Sequence, residues 1–157
     1  MTTLTESNKA PDLELPTDGG GHFSLSAQRG KPVVVYFYPK DDTSGCTREA
    51  IDFSERKPEF DALGALIVGI SPDGPGAHDR FKKKHRLTVV LAADEDKLAA
   101  RAYGVWVEKS MYGRKYMGVD RSTFLIDRDG TIARSWRSVR VPNHVEEVLQ
   151  AAKQMMA

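Results

Sequence analysis

The stretch VVVYFYPKDDTSGCTREA, residues 33–50, decides how the rest of the chain is interpreted. It begins as an apolar run rich in β-branched and aromatic residues, which predicts a central strand covered on both faces. Pro39 ends this run, and a loop of turn-forming residues follows. From Thr47 the pattern becomes helical. The single cysteine of the chain, Cys46, therefore lies where a buried strand gives way to a helix.

Strand and helix patterns alternate along the rest of the chain. A short N-terminal hairpin is predicted, with Leu13 and Leu15 on one strand and Phe23 and Leu25 on the other. Pro58 predicts a kink or a break in the helix that follows Cys46. Two further strands are predicted, at 64–73 and 88–94, and an antiparallel hairpin is predicted at 122–137. The predicted helices are 47–63, 77–87, 95–105 and 141–156. Residues 108–120 are predicted to be loop or irregular strand.

This order predicts an α/β layer fold, with parallel strands in the first part and an antiparallel pair at the end. We expect one domain over residues 1–157, because no repeat, low-complexity tract or linker interrupts the pattern. Residues 1–10 are polar and are expected to be flexible.

Composition excludes several classes of function. The chain has 157 residues with 23 Lys and Arg against 22 Asp and Glu, a net charge of +1 that argues against nucleic-acid or anionic-membrane partners. No apolar run approaches the length of a membrane helix, and the N-terminus has no secretory pattern. One cysteine cannot form an internal disulfide or a multi-cysteine metal site, which favours a reducing cytoplasm.

The position of Cys46 favours chemistry. A thiol in the first turn of a helix faces unpaired backbone N–H groups and the positive end of the helix dipole, and both favour the nucleophilic thiolate. Gly45 removes side-chain bulk beside it and lets a substrate approach the backbone. The alternative is a small buried apolar residue. Position alone leaves the two about equal, and the polar flanking residues favour the nucleophile.

Pro39, Thr43 and Cys46 match the Pro-x-x-x-Thr-x-x-Cys signature of peroxiredoxins. The chain most closely resembles the bacterioferritin comigratory protein, or peroxiredoxin Q, subfamily, because APDLELPTDGG, GISPD and YGVWVEKSMYGRKYMGVDRSTFLID occur in its order and spacing. The resemblance covers nearly the whole chain. It implies a thioredoxin-like fold, which is a three-layer α/β/α sandwich with a mixed central sheet and an N-terminal hairpin.

The resemblance also implies the residues of an active site. Cys46 would be the peroxidatic cysteine, which attacks peroxide and becomes a sulfenic acid. Thr43 would hydrogen-bond to the thiolate and the bound peroxide, and Arg121 would stabilise the thiolate and the charge on the leaving oxygen. Pro39 would shield the sulfur from water, and Glu49 would orient an arginine.

The implied activity is a thiol peroxidase that reduces hydrogen peroxide and organic hydroperoxides in antioxidant defence and redox homeostasis, without a metal or organic cofactor. Many members of the subfamily carry a second, resolving cysteine, but Ile51 occupies one of its usual positions and 80–84 contains none. We therefore expect a one-cysteine mechanism with an external thiol of the thioredoxin, glutaredoxin or glutathione type. The physiological reductant, the preferred peroxide, and the choice between monomer and weak homodimer stay open. A non-enzymatic redox-sensing or holdase role on the same fold is the alternative function.

Other polar and apolar groups are interpreted as structural. The basic run 82–86 is predicted to be a solvated helix face, and the arginines at 134, 137 and 140 are predicted to lie on an exposed strand edge. Four apolar residues before Arg121 either line the approach to Cys46 or fill the edge of the core. They are Met111, Tyr112, Tyr116 and Met117. The four histidines are all predicted to lie at the surface, with no metal-ligand spacing: His22, His78, His85 and His144.

Overall fold

A computed structural model describes residues 6–157. Of the segment 1–10 that was predicted to be flexible, residues 1–5 lie outside the described residues. The amides of Ser7 and Ala10 donate to the carbonyls of Ile132 and Gly130, at 2.8 and 2.9 Å. These bonds place residues 7–10 against the hairpin near the end of the chain.

A five-stranded mixed sheet forms the centre of the fold. Its middle strand is β3 (Val33–Phe37), the strand of the opening stretch. Strands β4 (Leu66–Ser71) and β5 (Val90–Ala93) extend the sheet in parallel on one side of β3. Strands β8 (Ser122–Ile126) and β9 (Ile132–Trp136) extend it in antiparallel fashion on the other. The predicted combination of parallel strands and a final antiparallel pair is confirmed.

Both faces of β3 are buried, as its apolar run predicted. Alternate side chains of a strand point to opposite faces of a sheet. Val33, Val35 and Phe37 belong to one apolar cluster, and Val34 and Tyr36 belong to another. The sheet therefore separates two cores, and covering layers are needed on both sides.

Three helices cover the face that carries Tyr36: α1 (Ser44–Ala62), α2 (Pro75–His85) and α4 (His144–Met156). The other face is covered by the short helix α3 (Leu98–Ala102) and by the predicted N-terminal hairpin. The hairpin strands are β1 (Glu14–Pro16) and β2 (His22–Ser24). The result is the three-layer α/β/α arrangement expected of a thioredoxin-like fold.

Helix α3 is much shorter than the predicted helix 95–105, with only five residues. Lys97, just before it, has a left-handed backbone (φ 62°), so the helix cannot begin earlier. The buried carboxylate of Asp94 accepts the amides of Ala99 and Ala100 at 3.0 and 2.9 Å. These bonds satisfy two backbone donors of the helix start.

The segment predicted as loop or irregular strand forms a regular hairpin, so that prediction is wrong. Strand β6 (Trp106–Met111) pairs with β7 (Arg114–Val119) through a two-residue turn. Tyr112 and Gly113 both have positive φ, 54° and 78°, as the tight turn of a β-hairpin requires. The four Met and Tyr side chains of this hairpin are exposed, so they do not fill the edge of the core.

Pro58 does not break α1, which runs as one helix of 19 residues. A proline removes the N–H that would bond to the carbonyl four residues earlier, here Ser54. The hydroxyl of Thr88 donates to that carbonyl at 3.4 Å, and the Thr88 amide donates to the Ser54 hydroxyl at 3.0 Å. Of the predicted kink or break, the break is therefore wrong, and Thr88 supplies a donor to the carbonyl that Pro58 leaves without one.

Two of the four histidines are buried, which corrects the prediction that all lie at the surface. His78 is fully buried and contacts the Asp41 carboxylate and the Ala92 carbonyl. His144 is 3 % exposed, and its Nε2 lies 2.8 Å from the Thr123 hydroxyl. Hydrogen-bonding partners far away in sequence make this burial possible.

The basic runs are only partly solvated. Lys82 and Lys84 of α2 contact the carboxylates of Asp18 and Asp42, each at 2.7 Å. Arg134 is exposed on β9, an edge strand, as predicted. Arg137 instead stacks over Phe124, 5.2 Å from the ring centroid, and donates to two backbone carbonyls.

A glycine in β4 makes room for Tyr36, the residue opposite it on β3. A Cβ added at Gly69 would lie 2.6 Å from the Tyr36 ring and hydroxyl. We expect Gly69→Ala to lower the free energy of unfolding by about 2 kcal/mol, because overpacking a full core forces side chains off their preferred rotamers. Chemical denaturation measures this change.

Gly76→Ala is the matched control, because Gly76 is exposed near the start of α2 and its nearest neighbour would be the Arg80 guanidinium at 3.5 Å. We expect it to leave the protein equally or slightly more stable. Equal destabilisation by the two variants would contradict the close approach of Tyr36 to β4.

Candidate active site

Cys46 lies in the first turn of α1, as the sequence predicted. Thr43 precedes the helix with an extended backbone (φ −91°, ψ 158°), and its carbonyl accepts the amide of Thr47 at 2.8 Å. The Cys46 side chain is 1 % exposed and packs in the same apolar cluster as Tyr36. The sulfur is thus a buried group at the positive end of a long helix.

The guanidinium of Arg121 connects Cys46 to a buried carboxylate. Its Nη2 donates to Cys46 Sγ at 3.3 Å, and its Nη1 donates to Glu49 Oε1 at 2.7 Å. Cys46 and Glu49 are three residues apart on α1, so they lie on the same side of the helix. Arg121 comes from the connection between β7 and β8, and its carbonyl accepts the amide of Val139 at 2.9 Å. One planar cation therefore fixes the position of the sulfur from a distant part of the chain.

The missing side chain of Gly45 allows this approach. A Cβ there would lie 3.1 Å from Arg121 Nη2, which is tighter than an ordinary contact. The sequence interpretation assigned this space to the approach of a substrate, and the guanidinium of Arg121 lies next to it.

Glu49 is fully buried, and burial raises its pKa to about 7, although the charge and the hydrogen bond of Arg121 act in the opposite direction. Its second oxygen, Oε2, has no hydrogen-bond partner among the described residues, and the same is true of the buried Tyr36 hydroxyl. Burial, followed by the charge of Glu49, raises the pKa of Tyr36 well above its ordinary value. Arg121 is therefore the main group that favours the ionised form of this carboxyl against the effect of burial.

The other predicted residues lie in the loop before the helix. Pro39 is half-buried and follows the buried Tyr38 at the end of the central strand. Thr43 is exposed, and its hydroxyl donates to the carbonyl of Lys40 at 2.9 Å rather than to the sulfur. The hydroxyl oxygen can still accept a hydrogen bond in this position.

Two residues near Arg121 were not predicted from the sequence. Burial and the charge of Arg121 lower the pKa of Lys109, while Cys46 acts in the opposite direction. Burial, with Arg121 adding to it, lowers the pKa of His144 to about 4, so this imidazole is neutral at pH 7. Neither has a local sequence signal, because β6 and the start of α4 bring them to the site only in the fold.

The β6–β7 hairpin presents part of its surface on the side of the site. Tyr116 is directly opposite Lys109, and Met111 is two residues beyond Lys109 on the same strand. Residues in these positions share one face of a ribbon. Tyr116 and Met111 therefore lie on the face of Lys109, whereas Met117, opposite Glu108, lies on the other face.

Most of the chain matches a known protein family. The AhpC/TSA family model matches residues 7–135. The chain belongs to this family. It is 48 % identical to peroxiredoxin Bcp of Bacillus subtilis over 153 residues, or 98 % of each chain.

Solved structures agree with this assignment. The bacterioferritin comigratory protein of Xanthomonas campestris, studied for its alkyl peroxide reduction activity, superposes with a TM-score of 0.90 at 39 % identity, covering 99 % of both chains. A cysteine-to-serine mutant of Xylella fastidiosa PrxQ superposes with a TM-score of 0.94 at 34 % identity over the full length of both. The resemblance to the bacterioferritin comigratory protein subfamily of peroxiredoxins is thus confirmed.

The described residues contain neither a membrane-spanning helix nor a metal-binding cluster. No helix among residues 6–157 is long and apolar enough to cross a membrane. Within the same residues, no group of three or more His, Cys, Asp and Glu side chains could hold a metal ion.

The raised pKa of Glu49 predicts a specific pH dependence of stability. Ionising this carboxyl is unfavourable in the folded protein, so the free energy of unfolding of the wild type should fall as pH rises from 4.5 to about 7. Glu49→Gln lacks this titration. We expect its stability relative to the wild type to increase by roughly 2–3 kcal/mol between pH 5 and pH 7.5, as measured by urea denaturation.

The control is Glu55→Gln, the same substitution at an exposed position of the same helix, and the pH-dependent gain is expected for Glu49→Gln alone. A pH-independent difference for Glu49→Gln would show that Glu49 titrates normally in the folded protein.

Proposed function

We propose that the protein reduces hydrogen peroxide and organic hydroperoxides through Cys46. The observation that carries this proposal is the single guanidinium that donates to Cys46 Sγ and to Glu49 Oε1. A donor of fixed charge beside a sulfur at a helix start favours the thiolate, which is the form that attacks peroxide.

The reaction begins with the attack of the thiolate on the terminal oxygen of the peroxide. The new S–O bond forms as the O–O bond breaks, so that Cys46 becomes a sulfenic acid and water or an alcohol leaves after taking up a proton. Arg121 stabilises the sulfur before the attack and the charge on the departing oxygen during it. No metal or organic cofactor takes part in these steps.

The neighbouring residues would prepare the site for this reaction. Glu49 holds Arg121 in place, because its Oε1 accepts from Nη1 at 2.7 Å. The Thr43 hydroxyl, whose proton is directed to Lys40, has its oxygen free to accept a hydrogen bond from a peroxide. Pro39 shields the sulfur from bulk water. Gly45 acts by leaving space for the arginine beside the substrate position.

An external thiol is needed to complete the cycle, because Cys46 is the only cysteine of the chain. A thiolate attacks the sulfenic sulfur, water leaves, and a mixed disulfide forms; a second thiol then releases Cys46. Cys46 is 1 % exposed, so the start of α1 must open for this step. We propose a cytoplasmic reductant of the thioredoxin, glutaredoxin or glutathione type. We also propose that the enzyme works as a monomer or weak homodimer, without nucleic-acid or membrane partners.

One experiment tests this function and the one-cysteine cycle together. The reduced protein is mixed with one equivalent of hydrogen peroxide in the presence of dimedone, and its intact mass is followed. We expect rapid formation of one dimedone adduct, which Cys46→Ser does not form. Without dimedone, the sulfenic acid should persist until a thiol is added, and a mixed disulfide should then form.

The outcome also separates the enzyme from the alternative role. A redox sensor or holdase would not consume peroxide repeatedly when glutathione, thioredoxin or glutaredoxin is supplied with its reductase. If Cys46 reacts with peroxide no faster than a free thiol at neutral pH, the proposal is wrong.

A further inference from the structure

The loop between β3 and Cys46 is tied to helix α2 by a buried polar cluster. Nδ1 of His78 lies 2.7 Å from Asp41 Oδ2, and Nε2 lies 2.9 Å from the carbonyl oxygen of Ala92 on β5. The other oxygen of Asp41 accepts the Tyr38 hydroxyl at 2.6 Å. Asp41 is five residues before Cys46, and it links the active-site loop to both the helix and the sheet.

Both ring nitrogens of His78 face hydrogen-bond acceptors. A neutral imidazole carries one N–H and can satisfy only one of them, whereas an imidazolium satisfies both. Burial lowers the pKa of His78, but the Asp41 carboxylate outweighs it through its hydrogen bond and its charge, and the pKa lies above the ordinary value. The fully formed cluster therefore contains a proton that is lost only as the pH rises.

The charged groups around His78 come from each neighbouring element. Asp41 lies in the active-site loop, and Asp73, in the loop after β4, favours the protonated ring by its charge. The Asp73 carboxylate also accepts the amide of Asp41 at 2.8 Å. Beside this cluster, the carboxylate of Asp42 contacts Lys84 and His85 of α2, each at 2.7 Å. The Asp42 pairs are exposed and add little, so the buried His78 contact is the main polar contact between the loop and α2.

We propose that His78 is a positioning residue that holds the active-site loop against α2 and so sets how often the start of α1 opens to present oxidised Cys46 to the reductant. This inference rests on the proposed function, in which a thiol must reach a sulfur that is 1 % exposed in the closed fold. Breaking the His78–Asp41 contact favours the open form, which should speed reduction of the sulfenic acid.

The direction of the pH effect follows from the proton count. Below its pKa, His78 bonds to both acceptors and the loop stays closed. Loss of the proton as the pH rises removes one bond and also the positive charge that faces the Asp41 carboxylate, so the loop contact weakens and the loop opens more often. The rate at which the external thiol reduces the Cys46 sulfenic acid should therefore rise with pH by more than ionisation of that thiol explains.

Two conservative substitutions test the two hydrogen bonds of His78 separately. An asparagine amide can replace the Nδ1 donor toward Asp41, and a glutamine amide can replace the Nε2 donor toward Ala92. Hydrogen exchange is measured by mass spectrometry in the Cys46→Ser background, where cysteine chemistry is absent. We expect His78→Gln to increase the corrected exchange of residues 39–46 by about tenfold or more, and His78→Asn to increase it less.

Val148→Ala is the control for general destabilisation, because Val148 is buried in α4, a helix that contributes no group to the His78–Asp41 cluster. It should raise exchange throughout the sheet without a selective effect on residues 39–46. If His78→Gln and His78→Asn affect this segment no more selectively than Val148→Ala does, or if its corrected exchange in the background protein does not rise between pH 6 and pH 9, the inference is overturned.

A kinetic measurement with Cys46 present distinguishes this inference from the proposed function. The protein is oxidised with one equivalent of hydrogen peroxide, and reduction of the sulfenic acid by glutathione is followed. We expect glutathione to reduce the sulfenic acid of His78→Gln about tenfold faster than that of the wild type. Equal rates would refute the role of His78 and leave the peroxidase intact, whereas failure of the wild type to form a sulfenic acid would refute the proposed function itself.

Discussion

The guanidinium of Arg121 connects the sulfur of Cys46 to the buried carboxylate of Glu49, and most of the site depends on this connection. Without the arginine, α1 would carry a buried carboxylate with no compensating charge, which folded proteins avoid. Without the carboxylate, the arginine would lose the partner that fixes its orientation. A fixed orientation matters because stabilisation of a developing charge requires donors that are in place before the reaction.

The fold supplies each part of this arrangement from a different element. The loop that follows the buried strand β3 leads directly into α1, which places Cys46 at the positive end of a helix. The antiparallel strand β8 lies beside β3, so that Arg121, one residue before β8, reaches the same end of the sheet. Gly45 leaves room for the guanidinium between them. The site is therefore a consequence of a mixed sheet in which β8 begins where β3 ends.

Much of this could be predicted from the sequence, because local patterns dominate it. The apolar run of β3, the turn-rich loop and the helix after Cys46 gave the α/β order, and the match to the peroxiredoxin signature pointed to Arg121 and Glu49. The failures involve partners that are distant in sequence. Burial of His78 involves Asp41, and the Ser54 carbonyl that Pro58 leaves without its helical donor is contacted by Thr88. The one local signal that was missed is Tyr112–Gly113, a two-residue turn whose glycine favours positive φ.

The central claim is that Arg121 assists O–O bond cleavage as well as ionisation of the sulfur. The most direct test compares the second-order rate constants of Cys46 with hydrogen peroxide and with iodoacetamide, in the wild type and in Arg121→Gln, by stopped-flow mixing. Both reagents need the thiolate, but only peroxide develops charge on a leaving oxygen beside the guanidinium. We expect the substitution to lower the peroxide rate constant about a hundredfold more than the iodoacetamide rate constant. An equal decrease for the two reagents would contradict the claim, because Arg121 would then act on the ionisation of Cys46 alone.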